Sequence, residues 1–575
     1  MKRKAYFSSR KTDTINPRSD EYRYRIDHEF KIYDSITIET KDHGILTLSV
    51  ILDKKIPAPQ STILMNTIYA DVNNINVGKE WAKRGYASVI LNTRGKYLSP
   101  DTVQPFEHEE EDINEAIEWI IRQQWSDGKV GMMGGSYSAF SQWAAAKKLH
   151  ASLKTIVPQA AVGIGTMDFP MRNHIFFAYT LQWLNQVMNN KMTDYRDFND
   201  TRKWNSVYKN WYISGTSFRK LDSVSGKPNP VFQKWLNHPE EDEYWQKMIP
   251  SRTDFRTVDI PILSITGYFD ANKLGALYYF NQHYQYHEDA EHYLVIGPYD
   301  HLGAQGIIKK EVRGYRIDPV AHVDINKLTV EWFDYILKGK PKPSFLKDKV
   351  NYQVMGTNVW KHIHTLDELG KNKLKLYLDP EHGSLTASAS KNEHEEFSPF
   401  SVDYGNRSDV DELMGFKYLI VDDSLYRRDN LIFSTSPFEK AFDFSGNASL
   451  TLALSMNKKD ADLYININEL MPDGKYFQLS TNVWRASYKS GSEKRDFFTP
   501  DKKEMITVEL NDFISKKIEK GSQLLVSIGA VKSPFWQINY GSGKPVNDES
   551  IEDAGEPLKI KVYTGSYLEI PYHLD

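Results

Sequence analysis

The first 163 residues alternate between two hydrophobic periods, one typical of strands and the other of helices. Residues 35–53 alternate with period two on both sides of a His43-Gly44 turn, which predicts a hairpin. Apolar runs at 61–69, 87–95, 129–136 and 153–162 predict buried strands, and the segments 78–86, 107–125 and 137–149 predict helices. This alternation indicates a mostly parallel sheet with helices on both faces.

The pattern changes after residue 163. The stretch 164–255 is rich in tryptophan and lacks strand alternation, which predicts helices. The strand and helix pattern resumes at 260–270 and 292–301, and an amphipathic helix is predicted at 326–340. Because the aromatic stretch lies between two halves of one predicted sheet, we interpret it as a helical cap.

The last third of the chain has few helix signals. Short alternating segments separated by turn residues follow residue 349, which is typical of an all-β sandwich or jelly roll. The sequence therefore predicts an α/β domain in two parts, 1–163 and 256–345, with a helical cap at 164–255 and a β-sandwich at 346–575.

The composition excludes several kinds of chemistry. The 575 residues contain no cysteine, which excludes disulfides, thiolate nucleophiles and cysteine-bound zinc. No HExxH motif, histidine cluster or EF-hand loop is present, so we expect neither a metal nor another cofactor. A net charge of −4 gives no electrostatic reason to expect nucleic acid or an anionic membrane as a partner.

The N-terminus is basic, but no apolar segment follows it, so it does not read as a signal peptide. No stretch approaches the roughly 20 apolar residues of a transmembrane helix. The sequence thus predicts a soluble, cytoplasmic protein. It leaves the oligomeric state open, with a homodimer as one option.

One glycine-rich motif lies between a predicted strand and a predicted helix. It contains Gly134, Ser136, Ser138 and Ala139. A nucleophilic serine in this context sits on a tight, strained turn and needs small neighbours so that strand and helix can approach each other. A turn that only packs is the alternative, whereas a phosphate loop would need GxGxxG or Gly-Lys-Ser/Thr. Ser136 is therefore the candidate nucleophile.

Two later residues complete a candidate triad. A serine hydroxyl needs a base to take its proton, and the base needs an acid to hold its tautomer. Asp270 and His301 each follow an apolar strand, and their order after the serine is that of α/β hydrolases. Asp300 is the rival acid, but it directly precedes His301 and is poorly placed to reach the imidazole from behind. Asp270 is preferred.

Several blocks of the sequence resemble the CocE/NonD hydrolases, a family that includes cocaine esterase, the α-amino-acid ester hydrolases and the Xaa-Pro dipeptidyl-peptidases. The region around Ser136 is the most specific of these blocks, and the β-rich region after residue 349 resembles the jelly roll of the family. The matching blocks are 81–95, 119–146, 235–245, 260–277, 294–303 and 350–360.

The resemblance implies roles for five residues. The triad of the family corresponds to Ser136, Asp270 and His301, and its oxyanion hole corresponds to the backbone N–H of Tyr137 and the hydroxyl of Tyr69. The alternative for Tyr69 is an aromatic residue that shields the edge of the sheet.

The chain also departs from the family pattern. Ala139 stands where the family usually has glycine, and the loop 92–101 differs from the usual RGxGxSEG. The acids that bind a substrate amine in the amino-acid ester hydrolases are replaced here by Ala271, Asn272 and Lys273. The departure at these positions weakens the case for substrates with a free α-amine.

Three functions remain open at this stage. The preferred one is a serine hydrolase that cleaves a small carboxylic ester, or an amide, through an acyl-enzyme. The second is an exopeptidase of the Xaa-Pro dipeptidyl-peptidase type acting on short peptides, which needs a carboxylate for the substrate amine; the segment 240–243 offers acidic residues. The third is a non-catalytic carbohydrate-binding protein with a relict hydrolase domain, which the intact candidate triad disfavours.

Overall fold

A computed structural model of the chain describes residues 23–25, 27–389, 396–425, 430–491 and 493–574. Most of the basic N-terminal segment, and with it the expectation about a signal peptide, lies outside these residues. Strands and helices alternate up to residue 159, which confirms the α/β pattern. The strands are β1 Arg23–Arg25, β2 Phe30–Glu39, β3 Ile45–Asp53, β4 Gln60–Thr67, β5 Ala87–Asn92, β6 Ser126–Gly135 and β7 Leu153–Gln159, and the helices are α1 Asn74–Lys83, α2 Glu109–Ile121 and α3 Tyr137–Lys147.

The inserted segment begins with short strands and continues as helices. Its strands are β8 Ile164–Gly165, β9 Phe169–Arg172 and β10 Ile175–Phe176, and its helices are α4 Tyr179–Met188, α5 Tyr195–Phe198, α6 Thr201–Ser214, α7 Leu221–Val224, α8 Pro230–Leu236, α9 Glu243–Gln246 and α10 Arg252–Thr257. The sequence predicted helices throughout. The strands were missed because a short apolar segment that is buried on all sides has no period to distinguish strand from helix.

The α/β pattern then resumes as the sequence predicts. Its elements are β11 Ile262–Phe269, α11 Lys273–Tyr286, β12 His292–Asp300, β13 Glu311–Val312, β14 Tyr315–Arg316, α12 Ile325–Lys338, β15 Val350–Val354 and β16 Val359–Ile363.

In the described part of the chain, eleven strands form one sheet in the order β1-β2-β3-β5-β4-β6-β7-β11-β12-β15-β16. The neighbours from β5 to β15 in this order are parallel. Almost every side chain of β5, β11 and β12 is buried, because helices cover both faces of a parallel sheet. The carboxyl ends of parallel strands share one edge, so the residues that follow β4, β6, β11 and β12 meet there.

The first two strands after residue 349 belong to this sheet and not to the C-terminal sandwich. Val350 pairs in parallel with Leu294, and β16 adds an antiparallel edge strand. The strands of the sandwich begin only at Lys373, downstream of the boundary at 346 that the sequence suggested. Alternation along a strand shows which of its two faces is buried but not which strand pairs with it. The sequence therefore could not assign these two strands to a sheet.

The remaining strands form the expected C-terminal all-β domain. Its elements are β17 Lys373–Asp379, β18 Ser384–Thr386, β19 Phe397–Val402, α13 Val410–Gly415, β20 Val421–Asp422, β21 Leu431–Ser434, β22 Phe442–Met456, β23 Asp462–Leu470, β24 Tyr476–Arg485, β25 Glu504–Ile518, β26 Gln523–Ala530, β27 Leu558–Tyr563 and β28 Tyr567–Pro571. Most of the paired strands are antiparallel, which suits a sandwich with one face on its own core.

A buried lysine connects this domain to the loop after β11. The ammonium of Lys273 donates to the carbonyl oxygens of Tyr268 at 2.7 Å and Phe513 at 3.0 Å, and it pairs with the carboxylate of Asp512 at 2.5 Å. Burial lowers the pKa of Lys273, and the carboxylate of Asp512 acts in the opposite direction. The C-terminal domain therefore supplies the counter-ion and one of the two carbonyl acceptors of this buried ammonium.

Among the described residues, every helix is too short or too polar to span a bilayer.

Candidate active site

Ser136 lies on a strained turn between β6 and α3. Its backbone has φ 60° and ψ −123°, a left-handed conformation that a residue with a side chain rarely adopts. A Cβ atom at Gly134 would lie 2.6 Å from the Cβ of Ser138, so the strand and the helix approach each other too closely for a larger residue. The backbone N–H of Ser136 donates to the carbonyl of Gln159 at 3.0 Å. This is the geometry of a nucleophile elbow.

Asp270 and His301 are joined by a hydrogen bond. The distance between the His301 Nδ1 and Asp270 Oδ1 atoms is 2.8 Å. The carboxylate is fully buried and also accepts from the Thr266 hydroxyl at 3.0 Å and from the Asn272 backbone N–H at 3.0 Å. An ionised carboxylate only accepts, so Nδ1 carries the proton and Nε2 is left as the basic nitrogen.

The loop after β12 lies directly over the elbow. The side-chain amide of Gln305 donates to the carbonyl of His301 at 2.8 Å. A Cβ atom at Gly135 would lie 2.1 Å from the Gln305 Oε1 atom, so the two loops are in close contact. No hydrogen bond between Ser136 and His301 is present in the described part of the chain. Hydrogen bonds between catalytic residues are often long before substrate binds. The observation that links Ser136 to His301 is therefore the close contact between their two loops.

The rival acid is occupied elsewhere. The Asp300 carboxylate pairs with the Lys309 ammonium at 2.9 Å and accepts from the backbone N–H of Gly303 at 2.8 Å. The Asp300 carboxylate therefore stabilises the turn that follows β12. The hydrogen bond from His301 goes to Asp270, as the sequence predicted.

Two hydrogen-bond donors point towards the space beside Ser136. Tyr137 is the first residue of α3, so its backbone N–H has no acceptor within the helix. The Tyr69 hydroxyl accepts from the indole N–H of Trp183 at 3.0 Å, and the Ser136 side chain is close enough to influence the pKa of the phenol. Because an indole N–H can only donate, the phenol oxygen accepts from Trp183 and its own proton is available to a second acceptor.

The charge state of His301 is set by two opposing effects. Burial disfavours the charged imidazolium, but the carboxylate of Asp270 outweighs this effect, and the pKa of His301 is raised above its ordinary value. The carboxylate thus favours the imidazolium that forms when the base takes a proton.

A buried carboxyl group supports the elbow from behind. The hydroxyl of Tyr137 donates to Glu109, and the backbone N–H of Phe106 donates to the Tyr137 oxygen at 3.3 Å. Burial raises the pKa of Glu109 to about 8, so this carboxyl group is mostly neutral at pH 7. The contact fixes the Tyr137 ring and with it the first turn of α3.

The positions that differ from the amine-binding members of the family are not available to a substrate amine. Lys273 is buried against Asp512, and the Asn272 amide donates to the buried Asp168 carboxylate at 3.1 Å. The Glu241 carboxylate accepts from Thr166 at 2.6 Å. In the same cap segment Asp242 caps α9 and Glu243 pairs with Lys247, whereas Glu240 is half-buried.

The structure adds three residues that the sequence did not single out for a role at the site. Trp183 is one of several tryptophans in the cap, and its indole N–H donates to the Tyr69 hydroxyl. Gln305 and Glu109 support the His301 loop and the elbow. Glu109 is one of four acidic residues in the first turn of α2, and no local pattern distinguishes it from its acidic neighbours.

Comparisons with known proteins agree with this architecture. Residues 48–303 match the model of the X-Pro dipeptidyl-peptidase S15 family, and residues 346–565 match the model of the X-Pro dipeptidyl-peptidase C-terminal non-catalytic domain. Cocaine esterase from Rhodococcus is 23% identical over 502 residues, which cover 82% of this chain and 85% of that protein.

Solved structures show the same fold. An aminopeptidase from a marine sediment archaeon of the Thaumarchaeota has a TM-score of 0.81 at 19% identity, with 100% of both chains covered. A CocE/NonD family hydrolase from Staphylococcus aureus has a TM-score of 0.69 at 17% identity, covering 95% of this chain and 94% of that one. The chain therefore carries both the catalytic and the C-terminal domain of the X-Pro dipeptidyl-peptidase S15 family and is a serine hydrolase that acts on ester or amide bonds.

Proposed function

We propose that Ser136, His301 and Asp270 form a catalytic triad that hydrolyses small carboxylic esters. The observation that carries the proposal is the 2.8 Å hydrogen bond from His301 to a buried Asp270, on loops that lie against the strained turn of Ser136. The bond selects the tautomer in which Nε2 can accept a proton. A triad of this kind activates a serine for acyl transfer.

The proposed reaction has two stages. The Ser136 oxygen attacks the ester carbonyl carbon while its proton passes to His301 Nε2, and the tetrahedral adduct then expels the alcohol, which takes the proton from His301. Water attacks the resulting acyl-serine, gives its proton to the same nitrogen, and releases the carboxylic acid as Ser136 recovers its proton. Asp270 stays ionised and stabilises the imidazolium in both stages.

The oxyanion of each adduct would be held by the Tyr137 backbone N–H and the Tyr69 hydroxyl. We expect Tyr69→Phe to lower kcat by about 10²–10³-fold with little change in KM, because the lost donor acts mainly on the transition state. Steady-state turnover of p-nitrophenyl acetate measures this effect. Tyr418→Phe is the matched control, since Tyr418 lies in the C-terminal domain and is 40% exposed. Unchanged kcat in the Tyr69 variant would assign this residue to packing.

The rate should depend on the protonation of His301. The imidazole must be neutral to accept a proton, and its pKa is raised, so kcat/KM should increase with pH through an inflection above the ordinary histidine value of 6.5. A pH profile of kcat/KM for p-nitrophenyl acetate, corrected for spontaneous hydrolysis, tests this expectation. An inflection below 6.5 would mean that burial outweighs the effect of Asp270.

Esters are preferred over Xaa-Pro peptides because the residues after Asp270 offer no carboxylate to a substrate amine. Lys273 occupies one of these positions, and its charge is paired with Asp512. An Xaa-Pro dipeptidyl-peptidase needs such a carboxylate at this place or on the cap. The third alternative, a binding protein with a relict hydrolase domain, requires a damaged site, and the candidate triad is intact.

The first experiment combines labelling and turnover. A fluorophosphonate probe should react covalently with Ser136, as located by mass spectrometry of the peptide, and heat-denatured protein should not react. A substrate panel then compares p-nitrophenyl acetate, p-nitrophenyl butyrate, an α-amino-acid ester and an Xaa-Pro p-nitroanilide. Fastest turnover of the acetate or butyrate supports the esterase. Preference for the p-nitroanilide would replace it with the peptidase, and no labelling of Ser136 would reject the triad.

A further inference from the structure

Lys96 is a fully buried lysine in the loop 92–101, which departs from the family pattern. Its ammonium donates to the carbonyl oxygens of Val187 at 2.7 Å, Asn190 at 2.7 Å and Met192 at 3.3 Å. An ammonium has three hydrogens, so these contacts satisfy all of them. Within the part of the chain that the structure describes, no carboxylate pairs with Lys96. Main-chain carbonyls of the cap therefore hold this charge.

The three carbonyls lie at and just beyond the carboxyl end of α4. The last carbonyls of a helix lack partners within it, and the helix dipole places partial negative charge at this end. Burial lowers the pKa of Lys96 to about 8, with Lys191 acting in the same direction and Asp194 in the opposite one. At pH 7 the side chain is therefore mostly charged and can donate all three hydrogen bonds.

A second lysine makes the reciprocal contact. The ammonium of Lys191 donates to the carbonyl oxygens of Gly95 at 2.9 Å, Ser99 at 2.6 Å and Asp101 at 2.9 Å, all in the loop that carries the buried lysine. The backbone N–H of Tyr97 donates to the Lys191 carbonyl at 2.8 Å. Hydrogen bonds from charged donors are the stronger ones, so the two segments are firmly joined. We call the two ammonium groups and the carbonyls that they bind the lysine clamp.

The clamped segment holds Tyr69 from two directions. Trp183 lies in α4, before the clamp, and its indole N–H donates to the Tyr69 hydroxyl at 3.0 Å. After the clamp, the backbone N–H and the hydroxyl of Thr193 both donate to the carbonyl of Ala70, at 3.0 Å and 3.2 Å. Ala70 directly follows Tyr69. The hydroxyl and the backbone of this tyrosine are thus both attached to the stretch of chain that Lys96 binds.

We propose that Lys96 is a positioning residue for the oxyanion donor Tyr69, a role that rests on the proposed esterase function. Because Lys96 is fully buried, it does not touch the substrate. It fixes the carboxyl end of α4, and α4 fixes the phenol oxygen through Trp183. A displacement of about 1 Å at a reacting group can cost about 10²-fold in rate. Loss of the clamp should therefore lower kcat through Tyr69.

The kinetic test removes the ammonium and keeps the length of the side chain. We expect Lys96→Met to lower kcat for p-nitrophenyl acetate at pH 7 by about 10- to 100-fold, with KM changed by less than about threefold. The same substitution added to Tyr69→Phe should lower kcat by less than about threefold, because the donor that it positions is already absent. Lys209→Met is the matched control and should leave kcat unchanged, since Lys209 lies on the cap helix α6 and pairs with the exposed Asp411.

Hydrogen exchange gives a second readout that does not need turnover. Amide exchange in the peptides 179–193 and 67–73, followed by mass spectrometry, should be faster in Lys96→Met than in Lys209→Met, because the clamp orders both segments. Exchange in the strand β22 of the C-terminal domain should be the same in the two variants. Thermal unfolding of each variant checks that the fold is retained.

A further variant covers the case in which Lys96→Met does not unfold cooperatively. Lys191→Met removes the exposed ammonium of the clamp and leaves the buried one in place. We expect kcat to fall by about three- to tenfold, and we expect this loss to vanish in the Tyr69→Phe background. Unchanged kcat in this variant would then overturn the proposal.

The outcomes separate the clamp from the esterase. Full kcat in a folded Lys96→Met protein overturns the positioning role and leaves the esterase intact. A loss of equal size with and without Tyr69→Phe also overturns it, because a general effect on the fold does not act through one donor. Loss of kcat without faster exchange in either peptide contradicts the route through α4. No turnover of any ester or peptide by the wild-type chain rejects the proposed function and the catalytic role of the clamp together, and the exchange data then show whether Lys96 orders α4.

Discussion

Replacement of Ser136 by alanine should lower kcat for p-nitrophenyl acetate by roughly a million-fold, to a residual rate that comes from the oxyanion donors alone. The substitution removes the attacking oxygen and leaves the elbow, the donors and the imidazole in place. KM should change much less, because substrate contacts are retained. The residual rate is measured in stopped and continuous assays at high enzyme concentration. The protein must be purified away from the esterases of the expression host.

Ser138→Ala is the matched control for this variant. It removes a hydroxyl from the same turn but keeps the Cβ atom that packs against Gly134. We expect kcat within about tenfold of wild type, because Ser138 does not face the reacting carbonyl in the proposed mechanism. Comparable losses in both variants would show that the turn is merely sensitive to substitution. Retention of most activity in Ser136→Ala would transfer the nucleophile to another residue.

Asp270→Asn should lower kcat by about 10⁴-fold while the fold is retained. The carboxylate accepts a hydrogen bond from the Nδ1–H group of His301 at 2.8 Å. An amide can instead present its NH₂ group to Nδ1 and so favour the opposite tautomer of the imidazole. In that tautomer Nε2 carries the proton and cannot act as the base. The buried carboxylate also accepts from Thr266 and Asn272, so a thermal unfolding curve must accompany the kinetics.

Asp300→Asn tests the assignment of the acid. Asp300 is adjacent to His301 in sequence, but its carboxylate pairs with Lys309, which is more than half exposed. We expect at most a several-fold change in kcat, because an ion pair near the surface contributes little. A larger loss in Asp300→Asn than in Asp270→Asn would reverse the two assignments.

The parts of the site that follow local rules could be predicted from the sequence. Ser136 lies between a buried strand and a helix with small neighbours on both sides, and this context is visible in a short window. Asp270 and His301 each end a strongly apolar run. The parallel sheet then brings the ends of these strands to one edge, so the order of elements was sufficient to predict the meeting of the three residues.

The remaining parts depend on contacts that are distant in sequence. Trp183 reaches Tyr69 across 114 positions of the chain, and nothing in the cap helix distinguishes it from other aromatic residues. The strand Val350–Val354 alternates like those of the sandwich but pairs with β12. Gln305 contacts the elbow only because two loops are adjacent in space. In each case the role of the residue or strand depends on a contact with a distant part of the chain, and the local sequence pattern does not reveal that contact.

The burial of Lys273 makes the two halves of the molecule interdependent. Its ammonium lies under the loop that holds Asp270, while Phe513 and Asp512, which satisfy it, belong to the other half. A chain cut after the sheet would lose the counter-ion of this ammonium and the Phe513 carbonyl that it contacts. The start of α11 would then carry an unpaired cation three residues after Asp270, which orients the base. We therefore expect a chain without the sandwich to have a displaced Asp270 loop and lower activity, and we expect an insertion or deletion at 512–513, within strand β25, to have the same effect.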